Sequence, residues 1–245
     1  MPSEIVQSEI YDEFKTKSLD LTKWTIAAFS LADGTFWKWE EPQAVIKTGN
    51  GQVSLTVDPY TKFHHQIQIF DNPKHLFLAT QSFSVQESET ISFSCEMGAV
   101  THNGNSLDFR DGFASFNVLD FNSGMVFDFL ATSEKIGIIY ERLFIPGLIP
   151  QEQAFTEIIE IDKTSAGKLQ KFKIEYEKAK NQVSFYLNGE KVHIQKDIPV
   201  SLDTLNLGFG LITLKPIQNG RSVSLHGQGG TGIWQNFKIL KFLRG

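Results

Sequence analysis

The chain has 245 residues and a formal net charge of -5 at pH 7, with 41% hydrophobic and 21% charged residues. This balance suits a globular protein with a sizeable core and excludes a disordered chain. Lysine and arginine are scattered along the sequence, so no basic patch indicates nucleic acid or an anionic membrane surface as a partner. The 21 Phe, against 5 Tyr and 4 Trp, predict an interior rich in flat apolar rings.

The sequence also bears on compartment. The first residues have neither the basic start nor the apolar run of a secretory signal, and no stretch approaches the roughly 18 apolar residues of a membrane-spanning helix. Cys95 is the only cysteine, so no intrachain disulfide can form. These features predict a cytoplasmic protein. We interpret Cys95 as a buried strand residue and not as a nucleophile.

Short candidate strands follow one another along the chain, bounded by Gly, Asn, Asp or Pro. This pattern predicts a β-sandwich or barrel and not alternating βα units. No Pro- or Ser-rich linker interrupts it, so we expect residues 1–245 to form one domain with little helix. The clearest predicted strands cover 52–57, 65–70, 77–85, 90–97, 112–119, 125–131, 136–143, 156–161, 170–177, 182–187, 207–214 and 232–242.

Trp37 and Trp39 are candidate ligand-binding residues. Alternation places both on one face of an early strand. Such a pair makes a platform for a sugar or another flat apolar ligand, although a buried aromatic pair is an equally good interpretation.

The next candidates surround a predicted Asn-Pro turn at 72–73. His64 and His65 face apart in an extended strand, and no third ligand has zinc-like spacing, so no metal site is predicted. His65, Asn72 and Lys74 are candidate ligand-binding residues at the rim of a sheet. His75 is a candidate acid or base.

Residues 108–143 combine hydrophobic residues with polar ones at strand period. If Asp120 pairs with Met125, alternation assigns one face of the hairpin to the core, with Ala114, Phe116, Val118, Phe127, Phe129 and Ala131. The opposite face mixes apolar walls with a few polar groups, as ligand pockets do. It carries Asp111, Phe113, Ser115, Asn117, Leu119, Val126, Asp128 and Leu130.

Three carboxylates of this region are candidate catalytic groups, namely Asp111, Asp128 and Glu141. Enclosure among phenylalanines raises the pKa of a carboxyl group towards the range useful for acid or base catalysis, whereas a neighbouring guanidinium holds it ionised. Phe113 and Asn117 are candidate ligand contacts, and Arg110 and Arg142 candidate charge stabilisers. The alternative is structural: Asp111 and Asp128 cap turns or pair with the arginines.

The Gly-rich run 226–232 is predicted to be a loop that approaches a ligand with His226 or Gln228, or else a tight crossover. It lacks the strand-to-helix setting of a phosphate-binding loop.

The segment 170–194 carries the strongest fold signal, an Asn188-Gly189 turn between two alternating runs. It resembles the corresponding hairpin of concanavalin A-like lectins and glucanases. The segments 11–14 and 231–237 resemble the first and last strands of that jelly roll, which lie side by side. The resemblance implies an all-β, concanavalin A-like jelly-roll β-sandwich of two antiparallel sheets.

Three further stretches resemble an uncharacterised family of bacterial proteins, a domain of unknown function with this fold. They are QIQIFDNPKH at 66–75, RDGFASF at 110–116 and HGQG at 226–229. This resemblance implies a fold and no established activity.

Sandwich glucanases carry a Glu-x-Asp-x-Glu or Glu-x-Asp-x-x-Glu strand that projects two carboxylates into one cleft. The nearest match here lies at 157–162, where Glu160 and Asp162 share a face but no glutamate follows. A standard glucanase is therefore disfavoured.

These observations lead to a functional hypothesis. We expect the concave sheet to bind a largely apolar small molecule, without a cofactor or metal, and to act on it by acid/base chemistry such as isomerisation or cyclisation, for example in natural-product metabolism. Whether the protein is an enzyme stays open. The alternatives are a non-catalytic, lectin-like carbohydrate-binding domain and a glycoside hydrolase with a non-standard site. A homodimer is a further open alternative.

Overall fold

A computed structural model describes residues 4–30, 34, 36–62, 72–214, 217–218, 221–222 and 225–243. The predicted strand at 65–70 lies outside these residues. In the described part of the chain, nearly all regular structure is β-strand. The strands are β1 (Glu4–Asp12), β2 (Trp24–Ile26), β3 (Ala28–Ser30), β4 (Phe36–Lys38), β5 (Val45–Gly49), β6 (Gln52–Val57), β7 (Lys74–Ala79), β8 (Phe83–Ser84), β9 (Glu89–His102), β10 (Phe113–Asp120), β11 (Met125–Ala131), β12 (Lys135–Arg142), β13 (Phe155–Lys163), β14 (Gln170–Glu177), β15 (Gln182–Leu187), β16 (Glu190–Gln195), β17 (Thr204–Ile212), β18 (Ile217–Gln218), β19 (Arg221–Ser222) and β20 (Gly229–Leu243).

The helical part of the described chain consists of three single-turn 3-10 helices, η1 (Phe109–Asp111), η2 (Gln151–Gln153) and η3 (Lys178–Lys180). Within the described residues, no helix is long and apolar enough to cross a membrane.

The strands form two large antiparallel sheets. In the first sheet the order is β16-β15-β14-β9-β20-β6-β5, with β1 also paired to β20, and in the second it is β13-β12-β11-β10-β17-β7-β2, with β8 also paired to β17. The predicted all-β sandwich is confirmed. The predicted neighbours at the two chain ends are also confirmed, because β1 pairs with β20 and places Asp12 opposite Phe237.

Aromatic rings fill the core between the sheets. Phe209 on β17 is fully buried, with its ring centroid 4.8 Å from that of Trp24 and 4.9 Å from that of Trp234. Phe77 stacks on the same ring at 5.3 Å. The phenylalanine-rich interior is therefore confirmed. Cys95 is buried in this core as a strand residue, as predicted.

The β10–β11 hairpin has the predicted register. Asp120 pairs with Met125, and Phe116 pairs with Phe129. All six residues that alternation assigned to the core belong to the main hydrophobic cluster. The alternate residues of β10 and β11 consequently point away from the core, on the opposite face of this sheet.

Two other predicted elements have different outcomes. The Asn188-Gly189 turn is confirmed between β15 and β16, with φ of 54° and 91° at its two residues. The single strand predicted at 77–85 was wrong, because an exposed turn at 80–82 separates β7 from β8. Both pieces pair with β17, Leu78 with Gly208 and Phe83 with Leu205.

Candidate ligand-binding cavity

A cavity of about 530 Å³ lies on the outward face of the second sheet. The hairpin register explains its position, because alternate residues of β10 and β11 point away from the core. Apolar residues make up the larger part of the described lining, and polar and charged residues make up the rest. The lining residues are Trp39, Asn72, Lys74, Leu76, Arg110, Phe113, Asn117, Leu119, Phe121, Val126, Asp128, Ile139, Glu141, Arg142, Leu143, Phe144, Gln151, Ala154, Phe155, Thr156, Ile158, Ile212 and Leu214.

Aromatic rings form part of the wall. Trp39 follows β4 and stacks on Phe121 with a centroid separation of 6.4 Å. Phe113 at the start of β10 also lines the cavity. Trp37 is buried in a second hydrophobic cluster together with Trp39 and Phe113, but it does not line the cavity. The structure therefore separates the two tryptophans that alternation grouped together.

Asp128 is the most deeply buried acid of the cavity. It lies directly opposite Asn117 in the β10–β11 ladder and is 4% exposed. Burial raises its pKa well above the ordinary value of 3.8; the negative charge of Glu141 adds to the rise, and a hydrogen bond with the Asn117 side chain opposes it. The Oδ1 atom of Asp128 has no hydrogen-bond partner among the described residues. Burial thus shifts the protonation equilibrium of Asp128 towards its neutral form.

Asn117 is itself held in place. Ser115 Oγ donates to Asn117 Oδ1 at 2.9 Å and also lies 3.3 Å from the carbonyl oxygen of Gly210 on β17. Because the amide oxygen of Asn117 accepts from Ser115, its NH₂ group is the part that can donate to Asp128. The three side chains form a polar line across this face of the sheet.

Glu141 supplies a second carboxyl group from the neighbouring strand β12. Its Oε1 accepts a hydrogen bond from Thr156 Oγ1 at 2.5 Å. Glu141 is partly exposed to solvent, but many protein atoms lie around its carboxyl group. This burial raises the pKa of Glu141, and the Thr156 hydrogen bond and the positive charge of Lys74 oppose the rise. Asp128 and Glu141 therefore line one cavity in different electrostatic surroundings.

Three cationic side chains of the described residues also line the cavity. Lys74 at the start of β7 is 7% exposed, and its Nζ lies 5.2 Å from the ring centroid of Trp39. Arg110 comes from η1, and Arg142 ends β12 with its Nε donating to the carbonyl oxygen of Ser123 at 3.1 Å. Asn72, also buried, lies beside Lys74 in the lining.

His75 points to the other side of β7. Its Nδ1 accepts from the backbone N–H of Glu41 at 3.2 Å, and its ring lies 5.0 Å from that of Phe77 in the core. Burial lowers the pKa of His75 to about 4. At this pKa the histidine is neutral at pH 7. It does not line the described cavity.

Asp111, His226 and Gln228 form a separate cluster. Asp111 Oδ1 lies 2.5 Å from His226 Nε2, and Asp111 Oδ2 accepts from the backbone N–H of Asn105 at 2.6 Å. Gln228 Nε2 donates to the carbonyl oxygen of Asp111 at 3.3 Å. None of these three residues lines the described cavity, and their interactions tie two loops together.

The structure also bears on the remaining candidates. His65 lies outside the described residues. Among the residues that are described, no group of three or more His, Cys, Asp or Glu side chains could hold a metal ion.

Sequence reasoning missed much of the lining. Thr156, Ile158 and Ile212 lie on strands, and an alignment of β13 and β17 with their neighbours would have identified them. Other missed residues had no such signal, because they lie in turns or loops whose path depends on the assembled fold. They include Phe121, Leu143, Phe144, Gln151 and Ala154.

Solved structures show where this fold is found. The β-glucanase of Bacillus licheniformis is similar with a TM-score of 0.54, at 10% identity, over 98% of this chain and 98% of its own. The catalytic domain of an endo-1,3-β-glucanase (laminarinase) from Thermotoga petrophila has a TM-score of 0.57, at 11% identity, over 100% and 99%. The carbohydrate recognition domain of Emp47p has a TM-score of 0.53, at 12% identity, over 99% and 98%. These likenesses show the fold alone and confirm the concanavalin A-like jelly roll.

The sequence matches one family model. The model described as "Family of unknown function (DUF6081)" matches residues 11–241. This range includes the three stretches on which the predicted family resemblance was based. No curated protein matches the chain.

Proposed function

Because the chain belongs to this family of unknown function, membership brings no activity with it, and we propose a function from the cavity itself. The protein binds a small molecule with a largely apolar body on the outward face of its second sheet and converts it by acid/base chemistry. The observation that carries the proposal is the buried carboxyl group of Asp128, whose Oδ1 has no hydrogen-bond partner among the described residues and which lines an apolar cavity of about 530 Å³.

The lining supports an apolar ligand. Leu119, Val126, Ile139 and Ile158 surround the polar line from Ser115 to Asp128. Ligand pockets of this size are typically apolar, with a few polar groups that fix the orientation of the bound molecule. A molecule rich in hydroxyl groups would leave many of them without partners against these walls, at a free-energy cost for each.

The two carboxyl groups suit a division of roles. Asp128, kept neutral by burial, donates a proton to a carbonyl or ether oxygen of the ligand. Burial also raises the pKa of Glu141, but the Thr156 hydrogen bond and the charge of Lys74 oppose the rise, and Glu141 accepts a proton from carbon or from a hydroxyl group. The ligand gains one proton and loses one, and proton exchange with solvent then returns Asp128 to its acid form and Glu141 to its carboxylate, so the reaction balances without a cofactor, as an isomerisation or cyclisation requires.

Roles for the other residues follow from their positions. Trp39 and Phe113 form the wall, Asn117 orients Asp128, and Lys74 with Arg142 stabilises negative charge. The proposed site leaves out Asp111, His75, Trp37, His226 and Gln228, which do not line the described cavity.

A ligand screen by thermal shift tests the proposal, with apolar carbonyl compounds and linear β-glucan oligosaccharides as the two ligand sets. We expect apolar compounds to raise the Tm of the wild type but not that of Ile139→Trp, which fills the cavity. Ile194→Trp, a change at an exposed strand position, is the matched control and keeps binding. Apolar compounds that stabilise both variants equally, or none that stabilises the wild type, would contradict the proposal.

Turnover of any apolar compound that binds tests the chemistry. We expect Asp128→Asn to abolish conversion while leaving binding within a few-fold of wild type, because the amide keeps the shape of the side chain but cannot deliver the proton. Full conversion by Asp128→Asn would remove that residue from the mechanism.

Carbohydrate binding or glycoside hydrolysis at a non-standard site is the second candidate. The fold comparisons favour it more than the first, since the similar structures include glucanases and a carbohydrate recognition domain. Two carboxyl groups and aromatic rings in one cavity are also compatible with sugar chemistry. Release of reducing sugar from β-1,3- or mixed-linkage glucan, lost in both Asp128→Asn and Glu141→Gln, would establish hydrolysis. Glucan binding without release would establish a lectin-like domain.

The remaining expectations belong to the same proposal. A cytoplasmic location, a fold of one domain over the whole chain, the absence of nucleic-acid partners and a homodimer all stay predictions. Light scattering of the purified protein measures its oligomeric state directly.

A further inference from the structure

We propose that the molecule bound in the cavity carries an anionic group, a carboxylate or a group of similar charge, attached to its apolar body. This inference rests on the proposed function and adds the substrate class. It comes from the charges placed around the cavity, which an uncharged apolar ligand would not need.

Among the described lining residues, the cations are Lys74, Arg110 and Arg142, and the acids are Asp128 and Glu141. Cations outnumber acids even if both acids are ionised. The excess grows when Asp128 carries its proton, the state that burial in an apolar wall favours.

The buried cation is the most informative of the three. Lys74 is only 7% exposed, and transfer of an ammonium group from water into such a place is unfavourable unless negative charge or aromatic faces compensate. Trp39 provides an aromatic face at 5.2 Å, and Glu141 is close enough for its pKa to respond to Lys74. The Glu141 carboxylate is thereby balanced within the wall, which leaves the charge of the arginines for a ligand.

The arginines are suited to that role. Arg142 uses Nε to bind the Ser123 carbonyl oxygen at 3.1 Å, a contact that fixes the side chain and leaves the terminal guanidinium nitrogens to donate elsewhere. Arg110 is exposed and belongs to η1, where the Asp108 side chain accepts from its backbone N–H at 3.0 Å. A guanidinium group matches the two oxygens of a carboxylate with parallel hydrogen bonds.

A matched pair of fluorescent molecules tests the charge preference. 1-Anilinonaphthalene-8-sulfonate and N-phenyl-1-naphthylamine share one apolar body, and only the first carries an anionic group. Titration of each into the wild type and into the double variant Arg110→Gln/Arg142→Gln gives the ratio of their Kd values. We expect the double change to weaken sulfonate binding by about tenfold or more, in line with lost charge-assisted hydrogen bonds, and to leave the neutral molecule within about twofold.

Lys47→Gln is the control, because Lys47 is an exposed cation on β5 of the other sheet. It should change neither Kd. Ile139→Trp should abolish both, which places the binding in the cavity, and circular dichroism confirms that each variant is folded.

The outcomes separate this inference from the proposed function. If both molecules bind in the cavity and the arginine changes weaken them equally or not at all, the anionic ligand is overturned and the apolar cavity stands. If neither binds the wild type, both proposals fall.

Discussion

Asn117 and Asp128 face each other across the β10–β11 ladder, on the side of the sheet that points away from the core. The amide favours the charged form of the acid, but burial favours the neutral form more strongly, so the pKa of Asp128 is raised well above 3.8. Ionisation of Asp128 is therefore less favourable in the folded protein than in water.

Asp128→Asn should alter the pH dependence of stability. Because the folded-state pKa of Asp128 is raised, its contribution is fully present below the unfolded-state pKa and is lost as the pH rises towards the folded-state value. The amide does not titrate, so the variant should gain stability relative to wild type as the pH rises from about 4 to 8. Urea unfolding across this range measures the difference. A difference that is constant with pH would contradict the raised pKa.

Phe209→Ala should be among the most destabilising single changes in the core. The side chain is fully buried and packs against Trp24, Phe77 and Trp234, so its removal leaves a cavity with an expected loss of about 3–5 kcal/mol. Chemical denaturation gives the value. Phe36→Ala, at a position that is 65% exposed, is the control and should stay within about 0.5 kcal/mol of wild type.

Asp111→Ala should destabilise the protein by about 1–3 kcal/mol, because it leaves the Asn105 N–H group without its carboxylate acceptor and removes the His226 contact. The lost contacts are the hydrogen bonds of 2.6 Å and 2.5 Å described above. Glu87→Ala, an exposed carboxylate change, should have little effect in the same denaturant titration. Ligand binding in the cavity should survive the Asp111 change under conditions where the variant is folded, and its loss there would place Asp111 in the site after all.

Gly189→Ala should lower the free energy of unfolding through the backbone conformation of the turn. The glycine has a φ of +91°, and an added Cβ would meet no atom within 4 Å. Steric contact with other residues therefore contributes nothing, and the expected loss of about 1–2 kcal/mol comes from the left-handed backbone alone. Gly230→Ala, where the added Cβ would meet Val100 O at an ordinary 3.4 Å, should cost less. Equal losses would show that backbone conformation is not the cause.

Cys95 should react with a thiol reagent only after unfolding. Its thiol is 3% exposed, and burial raises its pKa well above 9.0, so neither access nor thiolate formation is favourable. Reaction with 5,5′-dithiobis(2-nitrobenzoate) should be slow in buffer and complete in denaturant. Rapid reaction of the native protein would show that the core opens at this strand.

Alternation predicted the β10–β11 hairpin in detail because a four-residue loop connects its strands and its two faces differ in polarity. Phe116, Phe127 and Phe129 go to the core, and Asn117 and Asp128 go to the opposite face, as the pattern requires. Alternation also assigned Asp111 to that face, but Asp111 does not line the described cavity. The 3-10 turn of η1 and Gly112, with a φ of 155°, interrupt the extended chain there, so strand period no longer sets the direction of the side chain.

Long-range pairing limited the rest of the prediction. His75 and Lys74 are neighbours in sequence, and only the pairing of β7 with β17 shows which of them faces the cavity. Similarly, Arg142 ends its strand, so both Glu141 and Arg142 line the cavity although alternation would separate them. Such positions depend on contacts between segments far apart in sequence, which periodicity does not encode.

The placement of core and cavity on opposite faces of the same strands has a consequence for how the molecule can change over evolution. A substitution at Leu119, Val126, Ile139 or Ile158 alters the cavity wall without removing a ring from between the sheets. Ligand preference can therefore diverge among relatives while the folding determinants stay constant. A library randomised at these four positions should yield mostly folded proteins with altered binding, and would be a practical starting point for engineering new ligands onto this scaffold.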